Sequence, residues 1–224
     1  MAPREPGTGS GGTVRNPLFA RLLVRMRRNE PAEQLEHRRE LLRGLSGRVL
    51  DLGASDGANF PYFPSTVTEV IAVEPEPYLR GLAERSAGRA PVPVRVVDAL
   101  AERLPLDDAS VDAAVVALVL CSVPDQSAAL RELHRVVRPG GELRVFEHVV
   151  ADDRRLAALQ RFLERSGIWP RIAGGCHPAR DTASAIEDAG FTIDRLRGLS
   201  VKPCRLAFPV APHILGAARR PTDP

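Results

Sequence analysis

The residue types best suited to chemistry are concentrated in one glycine-bearing stretch, Val49-Leu-Asp-Leu-Gly-Ala-Ser-Asp-Gly-Ala-Asn59. An apolar strand is predicted to end there, the chain to turn at Gly53, and a helix to begin near Gly57. Glycines permit backbone angles that side chains forbid and let a ligand approach the backbone closely. In open α/β sheets, ligands bind outside the carboxyl ends of the strands, where this loop falls. Taken alone, the stretch fits a ligand loop and a plain strand-to-helix connection about equally.

Two acids and a turn at later strand ends favour the ligand loop. Glu74 ends the second predicted strand about 20 residues after Gly53, the usual place of an acid that binds ribose hydroxyls. Asp98 ends the third predicted strand, where it can accept a hydrogen bond from an adenine amine. Pro139-Gly140-Gly141 is expected to form a turn before the fifth strand. Each acid alone is compatible with a helix cap or a solvent-facing position, but their consecutive order predicts a nucleotide site.

The charge of the loop discriminates between nucleotides. Asp51 and Asp56 bracket it, and carboxylates repel the pyrophosphate that a dinucleotide would place against this turn. The ammonium and sulfonium groups of S-adenosylmethionine are instead attracted by carboxylates at a few ångströms. The loop also lacks the third glycine of the dinucleotide fingerprint. The predicted cofactor is therefore S-adenosylmethionine.

The elements that would position these residues alternate between strand and helix. We predict strands over 48–52, 70–74, 94–97, 112–117 and 142–146, and helices over 77–87, 126–137 and 153–164. Helices over 17–28 and 31–43 precede them, and a helix over 182–189 and strands over 191–199 and 213–218, joined by a Pro-rich loop, follow them. This rhythm predicts an α/β fold: a doubly wound, mostly parallel seven-stranded sheet with a terminal antiparallel hairpin.

The amino-terminal region divides into two parts. Residues 1–15 are rich in Gly, Pro and Ser and are expected to be a disordered lead, whereas 16–224 are expected to form one domain. The predicted helix over 17–28 carries Leu18, Leu22 and Met26 at helical spacing, with Phe19 and Leu23 beside them and Arg on the other side. We expect it to lie over a pocket; a role at a membrane surface is the alternative.

Composition argues against several classes of protein. The 224 residues carry a net charge of only +3, and the scattered Arg residues lack interleaved aromatics, so no nucleic-acid partner is expected. No apolar run approaches the roughly 20 residues of a membrane span. Cys121, Cys176 and Cys204 are far apart and odd in number, which fits neither a disulfide framework nor the paired spacing of a zinc site. We expect a reducing, cytoplasmic setting and no metal.

The motifs resemble those of the class I S-adenosylmethionine-dependent methyltransferases over about 16–221 of the chain. Asp51-Leu-Gly-Ala-Ser-Asp-Gly57 resembles their first cofactor motif, Val73-Glu74 the acidic second motif and Asp98-Ala99 the third, on the adenine side; 118–123 and 133–141 continue the pattern. More narrowly, 118–123, Phe146-Glu-His148 and 175–182 are similar to the branch that contains the animal alkyl-thiol methyltransferases and many bacterial relatives.

The resemblance implies an in-line displacement of S-adenosylhomocysteine by a nucleophile on a small molecule. It implies cofactor contacts from Asp51, Gly53, Ala54, Ser55, Gly57, Asn59, Glu74, Pro75, Asp98, Ala99 and Leu118. The chain departs from the family at Ser55, where a middle glycine is usual. It also departs at its amino terminus, where the animal enzymes carry a hydrophobic anchor, so a membrane substrate is not expected.

The acceptor side offers fewer signals. His148 and His177 follow strand and loop positions near the ligand end of the sheet and are candidates for a base or an orienting donor, or for loop support. The candidate substrate contacts are Phe19, Cys121, Phe162, Trp169 and Cys176. A plain core role is an equally good interpretation of these residues, and for Cys121 it is the favoured one.

A thiol, with a pKa of about 8.5, needs little help from a base, whereas an alcohol needs one. The expected activity is S-methylation of a small hydrophobic thiol or a similar soft nucleophile, with secondary metabolism as the expected setting. O-, N- or C-methylation of an aromatic or polyketide-like metabolite is the alternative within the class. A non-catalytic S-adenosylmethionine- or nucleotide-binding module is the alternative outside it.

Overall fold

A seven-stranded sheet organises the protein in the computed structural model, which describes residues 16–27, 30–201 and 209–222. The strands are β1 (Gly47–Leu52), β2 (Val67–Val73), β3 (Val94–Val97), β4 (Val111–Ala117), β5 (Val137–His148), β6 (Thr192–Ser200) and β7 (Pro212–Arg219). The helices are α1 (Pro17–Arg27), α2 (Ala32–Leu42), α3 (Pro77–Ala87), α4 (Gln126–Val136), α5 (Arg154–Arg165), α6 (Ile168–Ile172) and α7 (Thr182–Asp188). The predicted disordered lead, 1–15, lies outside the described residues.

The strand order is β3-β2-β1-β4-β5-β7-β6. Neighbours from β3 through β5 pair in parallel, whereas β7 pairs antiparallel with both β5 and β6. The register places His148 opposite His213, near the end of the chain. The predicted parallel sheet with a terminal antiparallel hairpin is therefore confirmed.

Both faces of the sheet are buried, which explains the nearly continuous apolar runs of its central strands. On one face, Leu50 and Leu52 pack in a cluster with Leu130 and Leu133 of α4. On the other face, Val49 packs in a second cluster that includes residues of α2 and α3. Helices on both faces make the fold doubly wound, and they leave the carboxyl ends of the parallel strands as the edge where side chains converge.

The predicted turn at Pro139-Gly140-Gly141 is wrong, because these residues lie inside β5. The pairing of β5 with β4 shifts register there, and Gly140 adopts a φ of +77°. Gly140 N donates to Arg220 O and Arg220 N donates to Gly141 O, so the segment after β7 continues the hydrogen bonding across the irregularity. Long-range pairing thus keeps these glycines in the strand.

The helix predicted to begin near Gly57 is also absent from the described residues. A series of turns leads instead to a short 3-10 helix, Phe60–Tyr62. Gly57 has a φ of +84°, outside the helical region, and Pro61 cannot donate a backbone hydrogen bond to a longer helix. The five-residue α6 was not predicted, since it is too short to show helical periodicity. Strand β5 begins five residues before its predicted start, and the bounds of the remaining predicted elements differ from the observed ones by at most three residues.

No helix in the described ranges combines the length and the apolar character that crossing a bilayer requires.

Candidate active site

The loop after β1 is fixed by the strand beside it. Gly53 N and Ala54 N donate to Val73 O, at 2.8 and 3.0 Å. Gly53 has a φ of +67°, and a Cβ there would lie 2.4 Å from Val119 Cγ2, so only glycine fits this position. Ser55, in the position of the family's middle glycine, adopts a φ of +54°, which is uncommon for a residue with a side chain. The loop therefore keeps the backbone shape that the missing glycine would favour.

Asp51 provides a buried carboxylate behind this loop. It is only 1% exposed, and its Oδ1 accepts a hydrogen bond of 2.7 Å from Asn59 Nδ2. Asn59 Oδ1 in turn accepts from Arg38 Nη1 at 2.5 Å. Asp51 Oδ2 has no hydrogen-bond partner among the described residues. Burial raises the pKa of Asp51 to about 7, against the smaller lowering effects of Asn59 and Arg38. An unpartnered buried carboxylate oxygen is a suitable acceptor for a ligand cation.

Glu74 links the loop to the end of β2. Its Oε2 accepts from Ser55 N at 2.8 Å and its Oε1 accepts from Glu76 N at 2.9 Å. Burial raises the pKa of Glu74, and the two backbone hydrogen bonds oppose that rise. Each carboxylate oxygen can accept a second hydrogen bond, so both remain able to receive ligand hydroxyls. Ser55 Oγ is buried beside them without a partner in the described part of the chain.

The residues predicted for the adenine side follow at the next strand ends. The side chain of Asp98 is 65% exposed, and its Oδ2 lies 3.0 Å from Arg80 Nη2. Ala99 beside it packs against the buried core. Leu118, after β4, has a φ of +62°, and its N donates to Phe146 O at 2.8 Å. Together with the loop 51–59 and the segment Glu74-Pro75, these residues form what we call the cofactor side.

The ends of β4 and β5 bring together two cysteines and a histidine. His148 Nδ1 lies 3.4 Å from Cys121 Sγ and 3.5 Å from Cys176 Sγ. The neighbouring Cys121 and His148 lower the pKa of Cys176 to about 5, whereas the neighbouring Cys176 and burial raise the pKa of Cys121. Trp169 packs against the same cluster. Segments 119–122, 147–148 and 169–177 are called the acceptor side below, and they contain five of the predicted catalytic and substrate residues: Cys121, His148, Trp169, Cys176 and His177.

His177 lies in the acceptor side but supports it through its backbone. His177 N donates to Cys121 O at 2.7 Å, which joins the loop after α6 to the loop after β4. Its ring Nδ1 lies 3.3 Å from Glu164 Oε1 on α5. The ring therefore contacts a carboxylate. These two contacts support the alternative interpretation of His177 as a residue that holds the loop.

Glu147 is a functional residue that the sequence reasoning missed. It is fully buried, and its carboxylate accepts hydrogen bonds from Val119 N, Leu120 N and Cys121 N, at 2.7, 2.9 and 3.1 Å. Burial raises its pKa, and the three backbone amides oppose that rise. A charged residue directly after the apolar pair Val145-Phe146, near the end of the strand, was the available signal. Glu147 thus sets the course of the chain that carries Cys121.

Helix α1 connects the two sides. Arg27 Nη1 pairs with Asp56 Oδ1 at 2.6 Å, beside the glycine loop. At the other end, Phe19 packs so closely on Gly174 that a Cβ there would lie 2.2 Å from the Phe19 ring. Leu18, Leu22 and Met26 of the predicted apolar stripe are exposed, and the inward face of the helix carries Phe19, Ala20 and Leu23 instead. The helix therefore packs through the apolar residues beside the predicted stripe.

Phe162, another candidate for the pocket wall, is 66% exposed on α5, so this expectation is wrong. Helix α5 is attached through its other face, where Gln160 is fully buried. Gln160 Oε1 accepts from Ala151 N and Gln160 Nε2 donates to Pro209 O, both at 2.8 Å.

Known proteins share both this fold and much of the sequence. Residues 50–145 match a family described as a methyltransferase domain. The chain is 39% identical to the mouse thiol S-methyltransferase TMT1B over 182 residues, which cover 79% of this chain and 73% of the mouse protein. It is 34% identical to the human thiol S-methyltransferase TMT1A, over 78% of this chain and 72% of the human protein.

Among solved structures, geranyl diphosphate C-methyltransferase from Streptomyces coelicolor matches with a TM-score of 0.64. The sequence identity is 16%, and the match covers 84% of this chain and 77% of that one. At this identity the likeness shows the fold alone.

Proposed function

Because this chain belongs to the class I S-adenosylmethionine-dependent methyltransferases, in the branch that contains the thiol S-methyltransferases, we propose that it methylates a small hydrophobic thiol. The methyl donor is S-adenosylmethionine, which supplies an already activated methyl group on a sulfonium. The protein's own contribution is then to align donor and acceptor and to exclude water.

The composition of the acceptor side carries this proposal. The acceptor side contains two buried sulfurs and an imidazole. The neighbouring carboxylate of Glu147 already accepts hydrogen bonds from three backbone amides. An alcohol acceptor needs a positioned base, whereas a thiol with a pKa of about 8.5 supplies useful thiolate near neutrality. His148, whose Nδ1 lies beside both sulfurs, would orient the acceptor. Phe19 and Trp169 would contact an apolar acceptor.

On the cofactor side, we assign the roles by chemical fit. The unpartnered Asp51 Oδ2 suits the ammonium of the methionine portion, the Glu74 oxygens suit the ribose hydroxyls, and Asp98 suits the adenine amine. The further contacts proposed are those of the family pattern: Gly53, Ala54, Ser55, Gly57, Asn59, Pro75, Ala99 and Leu118. Among these, the buried Ser55 Oγ is a second polar atom that a ligand can satisfy.

The test is turnover by the purified full-length protein. Alkyl and aryl thiols of graded size are offered with S-adenosylmethionine, each beside its alcohol or phenol counterpart, and both products are measured by mass spectrometry. We expect S-methyl product and S-adenosylhomocysteine in equal amounts from the thiols. Turnover of the phenols with no turnover of the thiols would show that the acceptor is a phenol and contradict the proposal. Calorimetric binding of the cofactor with no turnover of either set would favour a binding module.

We further propose that 16–224 act as one catalytic domain in a reducing, cytoplasmic setting, with an acceptor from secondary metabolism. The two neighbouring free thiols, Cys121 and Cys176, support the reducing setting. Fractionation of the source cells, with an antibody against the chain, tests the compartment. Recovery with the membrane or secreted fraction would contradict it.

A further inference from the structure

From the arrangement of Cys121, His148 and Cys176, we infer that the acceptor side binds a zinc ion. Their three candidate ligand atoms all lie within 4.8 Å of one another, and His148 Nδ1 is 3.4 and 3.5 Å from the two sulfurs. Tetrahedral zinc, with bonds of about 2.3 Å to sulfur and 2.0–2.1 Å to nitrogen, separates a sulfur from a nitrogen ligand by about 3.5 Å and two sulfurs by about 3.8 Å. The three atoms therefore already stand close to the corners that zinc would require.

The ligands are fixed by contacts behind them, as effective metal sites require. Cys121 N donates to Glu147 Oε2, and Cys121 O accepts from His177 N, so both sides of its backbone are held. Cys176 N donates to Ala173 O within the loop after α6. His148 ends β5 and packs edge-to-face on His213 of the neighbouring strand, with ring centroids 4.4 Å apart.

Burial and charge also fit a divalent cation. Cys121 and Cys176 are 1% and 5% exposed, among the apolar side chains of Trp169, Ala173 and Val210. Two thiolates in such a setting are costly without compensation, and one Zn²⁺ makes the set neutral. Zinc favours thiolate and imidazole ligands, so these donors select it over magnesium or calcium.

The sequence did not reveal this site because its ligands are distant along the chain. His148 is 27 residues from Cys121 and 28 from Cys176, with no paired cysteine spacing. The expectation of no metal rested on that spacing. It is the pairing of β4 with β5 and the bond between His177 and Cys121 that bring the three side chains together.

Three protein ligands leave a fourth position open, as in catalytic zinc sites. This use of the site rests on the proposed thiol methylation. An acceptor thiol would bind zinc through sulfur, displace water and release its proton to solvent, since coordination deprotonates a thiol. A sulfur lone pair would then form the new S–CH3 bond as the methyl–sulfonium bond breaks, which leaves neutral S-adenosylhomocysteine. The thioether product is a weaker ligand and would be replaced by water.

The first measurement is the zinc content of the full-length protein. Protein purified with zinc and then passed through buffer with a weak chelator should retain about one zinc per chain. Replacement by Co²⁺ should give the sulfur-to-cobalt charge-transfer band and the visible bands of tetrahedral cobalt. Substoichiometric zinc, or octahedral cobalt spectra, would overturn the inference.

Single substitutions test the ligand set. Cys121→Ser, Cys176→Ser and His148→Gln should each weaken zinc binding by roughly tenfold or more. Ser122→Ala is the matched control, because Ser122 Oγ lies 3.4 Å from Cys121 Sγ yet supplies no ligand, and it should retain zinc. S-adenosylhomocysteine binding, measured on the same samples, confirms that each variant is folded. Zinc retained unchanged by the double variant C121S/C176S would contradict the assignment.

Two further outcomes separate this inference from the proposed function. Zinc content and cobalt spectra are measured without any acceptor. A chain that binds zinc but methylates no thiol would therefore contradict the thiol acceptor and support the zinc site. A zinc-free chain with full thiol turnover would remove the site and keep the function. A Cys121–Cys176 disulfide in protein isolated under reducing conditions, seen as the loss of two hydrogens by intact mass, would also overturn the site.

Discussion

The two sides of the active-site edge differ in the atoms they present, although one sheet builds both. The cofactor side, at the ends of β1, β2 and β3, offers carboxylate oxygens from Asp51, Glu74 and Asp98. The acceptor side, at the ends of β4 and β5, offers two sulfurs and an imidazole. The carboxylate oxygens suit a cationic cofactor and its hydroxyls, whereas the sulfurs and the imidazole suit a thiol acceptor. The difference teaches that the two substrates are sorted by chemistry as well as by position.

Changes at Glu147 should have the largest effect, and they should act on the acceptor side. Glu147→Ala removes the acceptor for three backbone amides, and each buried unsatisfied donor costs about 1–3 kcal/mol. We expect the free energy of unfolding to fall by about 3 kcal/mol or more, measured by urea denaturation. Glu147→Gln keeps one carbonyl oxygen and should lose less. Equal stability of Glu147→Ala and the wild type would show that this carboxylate does not organise 119–121.

Loss of the Glu74 side chain should affect the cofactor side next most strongly. Hydrogen bonds to a charged group are worth about 1.5–3 kcal/mol each, so Glu74→Ala should weaken S-adenosylhomocysteine binding by about 100-fold or more. Calorimetry measures the dissociation constant. Glu76→Gln is a nearby control, because the Glu76 carboxylate accepts from Leu79 N at the start of α3. If Glu74→Ala binds as tightly as the wild type, the ribose assignment is wrong.

The pH dependence of cofactor binding should be smaller and should trace to Asp51. Burial holds the pKa of this carboxyl at about 7 in the free protein, so it is largely protonated at pH 6. A bound ammonium favours the ionised form and lowers that pKa, so binding releases a proton and affinity rises with pH up to about 7. We expect S-adenosylhomocysteine to bind roughly eightfold more tightly at pH 7.5 than at pH 6, from the two protonation fractions.

Asp51→Asn is the control for this titration. It should bind the cofactor more weakly than the wild type and show a flat profile between these pH values. A wild-type profile equally flat would mean that Asp51 does not meet the ammonium.

The smallest effect concerns the helix that joins the two sides. Arg27→Ala breaks the ion pair with Asp56, and such partly exposed pairs contribute about 1 kcal/mol or less. Cofactor affinity should fall only a few-fold, more so at low salt, since salt screens the pair in the wild type. Arg25→Ala, on the exposed part of the same helix, should change nothing measurable. An effect of Arg25→Ala equal to that of Arg27→Ala would show that the pairing with Asp56 is not responsible.

The sequence was most informative where local patterns and burial agree. Helix α3 and strand β3 match their predicted bounds, because both have clear apolar patterns and the helix has Pro77 in its first turn. The cofactor side was predictable for a similar reason, since its acids follow the strands directly. The apolar pattern of each strand predicts where the strand ends, and so it predicts the position of the acid at that end.

Tertiary contacts decide what the sequence could not show. Gly140 and Gly141 signal a turn locally, yet pairing with Arg220 keeps them in β5. Cys121 and Cys176 gave no signal because a loop contact made by His177 brings them together. No role was predicted for the buried Glu147, because its three amide partners lie in the loop after β4 and only the fold brings them close. On α1, packing selected Phe19 and Leu23 for the inward face and left Leu22 exposed.

The position of β7 between β5 and β6 has a consequence for how the protein is made. All the acids of the cofactor side are synthesised by residue 98, and the strands that carry them pair with one another. His148, in contrast, lies opposite His213, so its strand gains its second neighbour only after β7 has been synthesised. During translation, the nascent chain can therefore form the cofactor side early, whereas the acceptor side must wait for β7.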